Sequence, residues 1–417
     1  MSSPVRSETQ STAGTGDTNR SDGDRDRDQD GHDNGNNEGS SSDDNGNGDG
    51  NDNGATERTS NLGTPIYRFV PSISKDDEAW LPPHTIKVLP SVRALSLRNV
   101  KDRITVNIWL TGAPLLWRQG LTGAGVRVGV IDSGIDDSHP ELRGKVVLRR
   151  DYANDGATPS QFYPHGTHLA GTIAANGPML KGVAPDAVLL DYRISNRNDT
   201  FAKDTIIATA ILDAIKDGCH ILTLSFSSTT YSKMIHDAIK KAVDLGILVV
   251  ASAGNAGLFW PRNVFLYPGA LPEVFSVGSV DFNHRGDGSL LRAVYSYCGP
   301  SVDAVSTGTG IISAIPGGEY ALGSGTSMAT AHASGFAALL QQKASTYFAG
   351  EPVVVMGRPR LYIMLKSSTV DVRWIINPCL GAGLITAYPA APVRDLTSRE
   401  WYIPGFSDGK PPDEDLG

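Results

Sequence analysis

The sequence predicts an α/β fold, in which a mostly parallel central sheet is flanked by helices. Two observations carry this prediction. From about residue 112 onward, short apolar runs alternate with amphipathic stretches, as expected when strands alternate with covering helices. The runs are apolar throughout rather than at every second position, which is typical of strands buried on both faces. These features predict one large domain, residues 112–390.

The individual elements follow from the positions of these runs. Four buried strands are predicted at Val126–Asp132, Val188–Arg193, Ile221–Phe226 and Ile247–Ala253. Five helices are predicted around them, at residues 165–175, 204–218, 231–245, 327–344 and 358–368. The helical pattern is clearest in 231–245, where apolar residues recur at helical spacing and lysines occupy the rest of the wheel.

The regions outside this domain differ in composition. Residues 1–60 contain no aromatic residue and are dominated by Asp, Asn, Gly and Ser, with 14 acidic residues and 5 arginines. Such a segment buries too little apolar surface to offset chain entropy, so we predict a disordered acidic tail. Residues 61–111 are interpreted as a linker, an N-terminal extension or a reduced pro-segment. Residues 391–417 are interpreted as a polar acidic C-terminal tail.

Charge and hydropathy exclude several classes of partner. The net charge of −8 belongs to the tail, because the remainder carries 32 basic and 31 acidic residues. A body so balanced has no surface suited to nucleic acid or an anionic membrane. No apolar run reaches the roughly 18 to 20 residues that a membrane span needs, and the first 30 residues lack the apolar centre of a secretory signal. We expect a monomer, intracellular rather than secreted.

The cysteine content indicates free thiols. Cys219, Cys298 and Cys379 are too few for a disulfide framework, and their number is odd. We therefore expect all three to be buried and unpaired. A catalytic cysteine is disfavoured, because Cys219 lies inside an apolar run and no base stands near the other two in the sequence.

Three segments place reactive side chains where a strand or a glycine-rich turn meets the edge of such a sheet. Asp132 ends a buried strand, His165 opens a helix, and Ser327 follows a glycine-rich turn. A serine hydroxyl becomes a strong nucleophile when an imidazole removes its proton, and the imidazole needs a carboxylate to orient it. Alone, each residue has a structural alternative: a carboxylate closing a turn, a capping histidine, or an N-cap serine.

A metal site is the other interpretation of the histidines. His165 and His168 are spaced for one face of a helix, but no glutamate stands between them and the sequence offers no clear third ligand. We therefore predict no metal at this site.

Together these segments resemble the subtilase family of serine endopeptidases. The motifs are VIDSG at 130–134, HGTH at 165–168, ASAGN at 251–255 and GTSMA at 325–329, and the resemblance covers about residues 112–390. The order Asp, His, Ser is that of subtilisin itself. The resemblance implies a subtilisin-like three-layer fold with Asp132, His165 and Ser327 as catalytic triad. It also implies that the Asn255 amide and the Ser327 N–H stabilise the oxyanion.

The resemblance also implies where the substrate binds. Members of this family hold the peptide backbone as an added strand, through main-chain hydrogen bonds. In this chain the corresponding segments are Ser225-Phe226-Ser227 and Ser252-Ala253-Gly254. Ser227 stands where subtilases commonly have glycine, so we expect the adjacent subsites to be narrower.

No cofactor is expected to be required. The family's strong calcium site uses a loop after the histidine helix, and here that connection, residues 176–181, is short and has no carboxylate. We therefore predict that this site is absent. Calcium elsewhere stays open, with Asp136 and Asp137 as candidate ligands.

The sequence thus predicts a serine endopeptidase that forms an acyl-enzyme on Ser327. An α/β-hydrolase esterase would have the order Ser, Asp, His and a Gly-x-Ser-x-Gly motif, whereas Ala329 stands at the last glycine position. A catalytically silent subtilase fold that acts as a binding scaffold would have lost a triad residue or the oxyanion donor. All four residues are present, which disfavours that alternative.

Overall fold

The computed structural model describes residues 86–87, 104–196, 202–257, 264–282, 290–349, 351, 353–370 and 378–388. The predicted tails, 1–60 and 391–417, lie outside the described residues. The strands are β1 (Ile86–Lys87), β2 (Arg127–Asp132), β3 (Val146–Asp151), β4 (Val188–Arg193), β5 (Ile221–Leu224), β6 (Leu248–Ser252), β7 (Phe275–Phe282), β8 (Leu290–Arg292), β9 (Ala304–Thr307), β10 (Ile311–Ile315), β11 (Glu319–Gly323), β12 (Val354–Val355), β13 (Arg358–Pro359), β14 (Thr369–Val370) and β15 (Leu384–Ile385).

The α-helices lie mostly between the strands. They are α1 (Val106–Leu110), α2 (Ala113–Trp117), α3 (Pro164–Ala174), α4 (Asp204–Lys216), α5 (Lys233–Asp244), α6 (Thr326–Tyr347) and α7 (Arg360–Ser367). Across the described part of the chain, no helix combines the length and apolar character needed to cross a bilayer.

A ten-stranded sheet forms the centre of the fold, in the order β14-β15-β9-β7-β6-β5-β2-β4-β3, with β8 attached to β7. Neighbouring strands from β15 to β3 pair in parallel, whereas β14 and β8 pair antiparallel. The predicted mostly parallel sheet is thus confirmed. Parallel strands end at the same edge, so the residues that follow β2, β5 and β6 are neighbours in space.

Helices cover both faces of the sheet. Along β2, Val128 and Val130 point toward the layer that contains α3 and α6, and Ile131 points toward α4 and α5. Each face therefore buries its own apolar cluster, which explains why the strands are apolar throughout. The predicted three-layer α/β fold is confirmed, and every predicted strand and helix forms with ends within three residues of the expected ones.

Two elements of the structure, β1 and α1, lie before the predicted start of the domain, and β1 pairs with β11. Helix α1 lies within the segment interpreted as a linker, an extension or a pro-segment, yet Ile108 and Leu110 are buried. These residues join the apolar clusters of the main fold. The domain boundaries themselves stay predictions.

The prediction of three free thiols was wrong for two of the cysteines. Cys298 and Cys379 form a disulfide, whereas Cys219 is free and buried as expected. The paired residues are 81 positions apart, so their spacing gives no sign of contact. They meet because β15 pairs with β9, and the turn before β15 donates the N–H of Ala382 to the carbonyl of Asp303 at 2.7 Å.

Candidate active site

Asp132 and His165 form a buried pair where β2 ends and α3 begins. Asp132 Oδ1 lies 2.7 Å from His165 Nδ1, and the same oxygen accepts the N–H of Ser133 at 2.7 Å. Asp132 is 6% exposed and His165 is 5% exposed. A carboxylate at Nδ1 favours the tautomer with its proton on that nitrogen, which leaves Nε2 able to accept a proton.

Two glycines allow this close approach. A Cβ on Gly166 would lie 2.5 Å from the carbonyl oxygen of Gly134 and 3.2 Å from Asp132 Oδ1. Gly134 itself has a φ of +98°, a conformation that other residues rarely adopt. Ser133 links the end of β2 to the start of α3. Its Oγ donates to the carbonyl of Tyr163 and accepts the N–H of Gly166, both at 2.9 Å. Sequence reasoning did not single out Ser133, although it stands next to Asp132.

His168 has different surroundings from His165. Its Nε2 faces the carbonyl oxygens of Ile311 at 3.0 Å and Ala321 at 3.2 Å. Burial, together with the proximity of His165, lowers the pKa of His168 to about 4. Among the described residues, no cluster of three or more His, Cys, Asp or Glu side chains is arranged to hold a metal ion. His168 is a neutral core residue that joins α3 to β10 and β11.

Ser327 lies in the first turn of α6 rather than at its N-cap, which is Gly325. Its Oγ donates to the carbonyl of Ser225 at 3.2 Å, and its side chain is buried. N–H groups of a first helical turn have no partner within the helix and carry the positive end of the helix dipole. Since β5 and β2 are neighbours, Ser225 and Asp132 stand at the same edge of the sheet.

The side chain of Asn255 is oriented by Thr326. Asn255 Oδ1 accepts both the N–H and the hydroxyl of Thr326, each at 2.9 Å. These contacts assign the amide so that its NH₂ group is turned away from Thr326, and a Cβ on Gly325 would lie 3.3 Å from Nδ2. The arrangement holds a hydrogen-bond donor beside the first turn of α6. Thr326 was not predicted as a positioning residue; its place between Gly325 and Ser327 is the one signal for it.

The match to a known protein family covers the part of the chain that contains these residues. The model of the subtilase family matches residues 123–355, more than half of the chain. The chain belongs to the subtilase family. It is a serine-type endopeptidase of the hydrolase class.

Known subtilases resemble the chain over more than half of its length. It is 37% identical over 278 residues to an intracellular serine protease of Paenibacillus polymyxa, covering 65% of this chain and 82% of that protein. Subtilisin E of Bacillus subtilis is 38% identical over 242 residues, which is 56% of this chain and 60% of the relative. Among solved structures, fervidolysin from Fervidobacterium pennivorans, a keratinolytic enzyme related to subtilisin, matches with a TM-score of 0.56 and 26% identity. The match covers 67% of this chain and 44% of fervidolysin.

The two segments predicted to bind substrate run side by side in this subtilase. Ser225–Ser227 follow β5 and Ser252–Gly254 continue from the last residue of β6, and these strands are parallel neighbours. Ser252 Oγ donates to the carbonyl of Phe226 at 3.5 Å. Ser227 is half-buried, whereas Ser225, Phe226 and the second segment are buried. The two segments therefore lie side by side at the carboxyl edge of the sheet; their role in binding stays a prediction.

The loop after α3 does not fit a calcium ion. Glu141 is the carboxylate that reaches it, and its Oε1 and Oε2 accept the N–H groups of Met179 and Leu180, both at 2.9 Å. Oε1 also accepts the hydroxyl of Tyr320 at 2.5 Å. The carboxylate is 1% exposed and is already surrounded by protein donors. In this chain the Glu141 carboxylate closes the loop after α3.

The two other candidate ligands are also engaged by the protein. Asp136 is fully buried, and its oxygens accept from Ser138 and from the N–H of Gly317 at 2.9 Å. Asp137 is paired with Arg149 at 3.0 Å. Neither carboxylate offers a cation the several oxygen ligands that calcium requires.

Proposed function

We propose that this subtilase cleaves peptide bonds through an acyl-enzyme on Ser327. In the first step Ser327 Oγ attacks the carbonyl carbon of the substrate, and His165 Nε2 takes the hydroxyl proton. Asp132 keeps the imidazole oriented and stabilises its charged form. The carbonyl oxygen becomes an oxyanion, which accepts hydrogen bonds from the Asn255 amide and from the N–H of Ser327.

The intermediate then collapses. The bond between carbonyl carbon and nitrogen breaks, His165 gives its proton to the leaving amine, and the acyl group stays on Ser327 as an ester. Water attacks this ester with His165 again as the base, which releases the carboxylate product and restores the serine hydroxyl.

The observation that carries the proposal is the buried hydrogen bond of 2.7 Å between Asp132 Oδ1 and His165 Nδ1, formed where β2 ends and α3 begins. A histidine of the core would direct a ring nitrogen at backbone groups, as the Nε2 of His168 does. A carboxylate at Nδ1 is instead the partner that a catalytic base needs. The direction of the Asn255 amide supports the same mechanism.

Covalent labelling tests the proposal. The purified full-length chain is treated with a fluorophosphonate probe, and the modified peptide is identified by mass spectrometry. We expect one label, on Ser327, and none in Ser327→Ala or His165→Ala. Ser345→Ala, an exposed serine on the same helix, is the matched control and is expected to label like the wild type.

Other results would contradict the mechanism. Label on another serine would place the nucleophile elsewhere. Absence of label in protein with a native circular dichroism spectrum and a cooperative unfolding transition would favour the catalytically silent scaffold.

We also propose that the enzyme acts as a monomer inside the cell on protein or peptide substrates. The intracellular serine protease of P. polymyxa supports this compartment, and the Cys298–Cys379 bond opposes it, because disulfides persist mainly in oxidising compartments. Cell fractionation and size-exclusion chromatography check both statements. Activity confined to the medium, or elution as a dimer, would contradict them.

A further inference from the structure

The aromatic ring of Phe162 lies against two guanidinium groups, three residues before His165 in the chain. The Cζ atom of Arg193 is 4.2 Å from the centre of the ring, and that of Arg149 is 5.4 Å from it. Phe162 is 5% exposed, and an aromatic ring shielded from water attracts a cation strongly through its quadrupole. Since Arg193 ends β4 and Arg149 lies in β3, the ring is attached to two neighbouring strands of the sheet.

Carboxylates hold both guanidinium groups in place. Arg193 donates to Asp151 at 2.9 Å and to the two oxygens of Asp155 at 2.9 and 2.8 Å. Arg149 donates to Asp191 at 2.7 Å. Hydrogen bonds between charged groups are strong, and a bidentate pair fixes the direction of a guanidinium as well as its position. Arg193 is also fully buried, so it cannot move away from the ring without losing its carboxylate partners.

The ring of Phe162 also contacts the turn that follows β2. A Cβ on Gly134 would lie 2.6 Å from Phe162 Cδ2 and 2.8 Å from Arg193 Cδ. The same turn meets the start of α3, because a Cβ on Gly166 would lie 2.5 Å from the carbonyl oxygen of Gly134. Gly134 thus contacts both the ring and the residue that follows His165. A displaced ring would let this turn move against the start of α3.

We infer that Phe162 is a positioning residue: the two arginines hold its ring so that His165 stays within hydrogen-bond distance of Asp132. This inference rests on the proposed function, since the positioned imidazole is the base that activates Ser327. Pro164 joins the ring's segment to His165 as the first residue of α3, and it has no backbone N–H to donate. Side-chain contacts therefore carry part of the restraint on this segment. A misplacement of about 1 Å that arises away from the reacting atoms can lower a rate by about 10²-fold.

Two changes at position 162 remove the attraction between ring and arginines in different ways. Phe162→Leu introduces a smaller side chain without a ring. Pentafluorophenylalanine, introduced by codon suppression, is slightly larger than phenylalanine and reverses the sign of the ring quadrupole. For both we expect kcat to fall by about 10- to 100-fold with KM little changed, because the orientation of the base affects the chemical step rather than substrate binding. A ring with a single fluorine should give an intermediate kcat. Activity on a casein-derived peptide is normalised to the fraction of Ser327 that the fluorophosphonate probe labels.

A proton signal that does not depend on turnover reports the same contact. The Nδ1 proton that His165 donates to Asp132 gives a far-downfield signal in the proton NMR spectrum when this hydrogen bond is short. We expect this signal in the full-length chain that carries Ser327→Ala, which avoids self-cleavage. Addition of Phe162→Leu should shift the signal upfield or broaden it beyond detection. A role of Phe162 in stability alone would leave the signal of the folded protein unchanged.

Two other phenylalanines provide matched controls. Phe348→Leu removes a ring that lies 4.4 Å from Arg360 Cζ at the C-cap of α6, the opposite end of that helix from Ser327. Phe275→Leu removes a fully buried ring at the start of β7 and thereby destabilises the fold. Both are expected to keep the wild-type kcat per labelled site. Equal losses of kcat in Phe275→Leu and Phe162→Leu, or unchanged kcat and proton signal in the changes at position 162, would overturn the inference while the peptidase stands. A wild type that shows neither label nor cleavage would overturn the proposed function and this inference with it.

Discussion

The two ends of helix α3 are each organised by a buried carboxylate, but the two carboxylates have different partners. At the N-terminal end, Asp132 faces the imidazole of His165. Beyond the C-terminal end, Glu141 faces the backbone N–H groups of Met179 and Leu180 and a tyrosine hydroxyl. Both carboxylates are nearly inaccessible to solvent.

The difference separates a chemical role from a structural one. In the proposed mechanism the imidazole of His165 takes and returns a proton, so the carboxylate beside it serves a group that changes charge during the reaction. Backbone N–H groups never titrate, so the carboxylate beside them acts as a fixed acceptor that satisfies a loop. A substitution at the first end should change activity with little change in stability, and a substitution at the second end should do the reverse.

The largest effect is expected for Asp132→Asn. The amide no longer stabilises the charged imidazole and favours the wrong tautomer, so kcat should fall by about 10⁴-fold, the size known for this change in serine proteases. Steady-state kinetics and thermal unfolding measure both properties on the same sample. Asp244→Asn, an exposed change on α5, is the control. Equal loss of activity in both variants would contradict the role of Asp132.

Asn255→Ala should have the second-largest effect. Removal of one oxyanion donor is expected to lower kcat by about 10²- to 10³-fold, a magnitude taken from subtilisin, while KM changes little. The donor acts on charge that develops in the transition state, so kcat carries the loss. A rise in KM with unchanged kcat would assign Asn255 to ground-state binding instead.

Glu141→Gln tests the other end of the helix. Glutamine replaces one of the two acceptor oxygens by an NH₂ group, so one of the N–H groups of Met179 and Leu180 loses its acceptor. The free energy of unfolding should therefore fall by about 1 to 3 kcal/mol. Specific activity at 25 °C should stay unchanged. Asp244→Asn, the exposed change on α5 used above, is the control and is expected to lower the free energy of unfolding by less than about 1 kcal/mol.

Melting temperatures measured with and without calcium test the prediction that the loop after α3 holds no calcium ion. Because the carboxylate already closes the loop, excess EDTA or added calcium should leave the melting temperature of the wild type unchanged. A melting temperature that falls in EDTA and recovers with calcium would contradict it and reveal a site outside this loop.

The smallest effect concerns the core histidines. Burial lowers the pKa of His168 and of His332 to about 4, against roughly 6.5 in an unfolded chain. Between these values the unfolded chain binds more protons, so stability should decrease as pH falls from about 6.5 to 4, by on the order of 1 kcal/mol per pH unit for each histidine. Urea unfolding of the Ser327→Ala variant, which avoids self-cleavage, measures the slope. His332→Gln should reduce this slope by on the order of 1 kcal/mol per pH unit; an unchanged slope would exclude His332 as a source.

Much of this fold was predictable from local patterns. The strands that lead to Asp132 and to Asn255 were recognisable because burial on both faces makes a strand apolar throughout. The predicted reactive residues were recognisable because each stands at the end of a strand or in the first turn of a helix. At such positions a short glycine-containing motif indicates the local backbone geometry. Few residue types can act as nucleophile, as base or as orienting carboxylate, so the sequence offered one candidate for each of these roles.

The partners of buried polar and apolar groups were not predictable in this way. Glu141 and Tyr320 are separated by 179 positions, and Cys298 and Cys379 by 81. Leu266 meets Gly254 across a stretch that carries no motif. Nothing in the residues near any of these positions requires the contact, because the contact forms only after the order of strands in the sheet has brought distant segments together.

The sequence by itself therefore determined the elements and the class of fold and predicted the reactive residues, because periodicity and short motifs act over a few neighbouring residues. Only the tertiary structure decided how Asn255 is turned, which carboxylate closes the loop after α3 and which two cysteines pair. These outcomes depend on close packing between distant segments, where every buried donor needs an acceptor and every cavity is filled by whichever side chain reaches it.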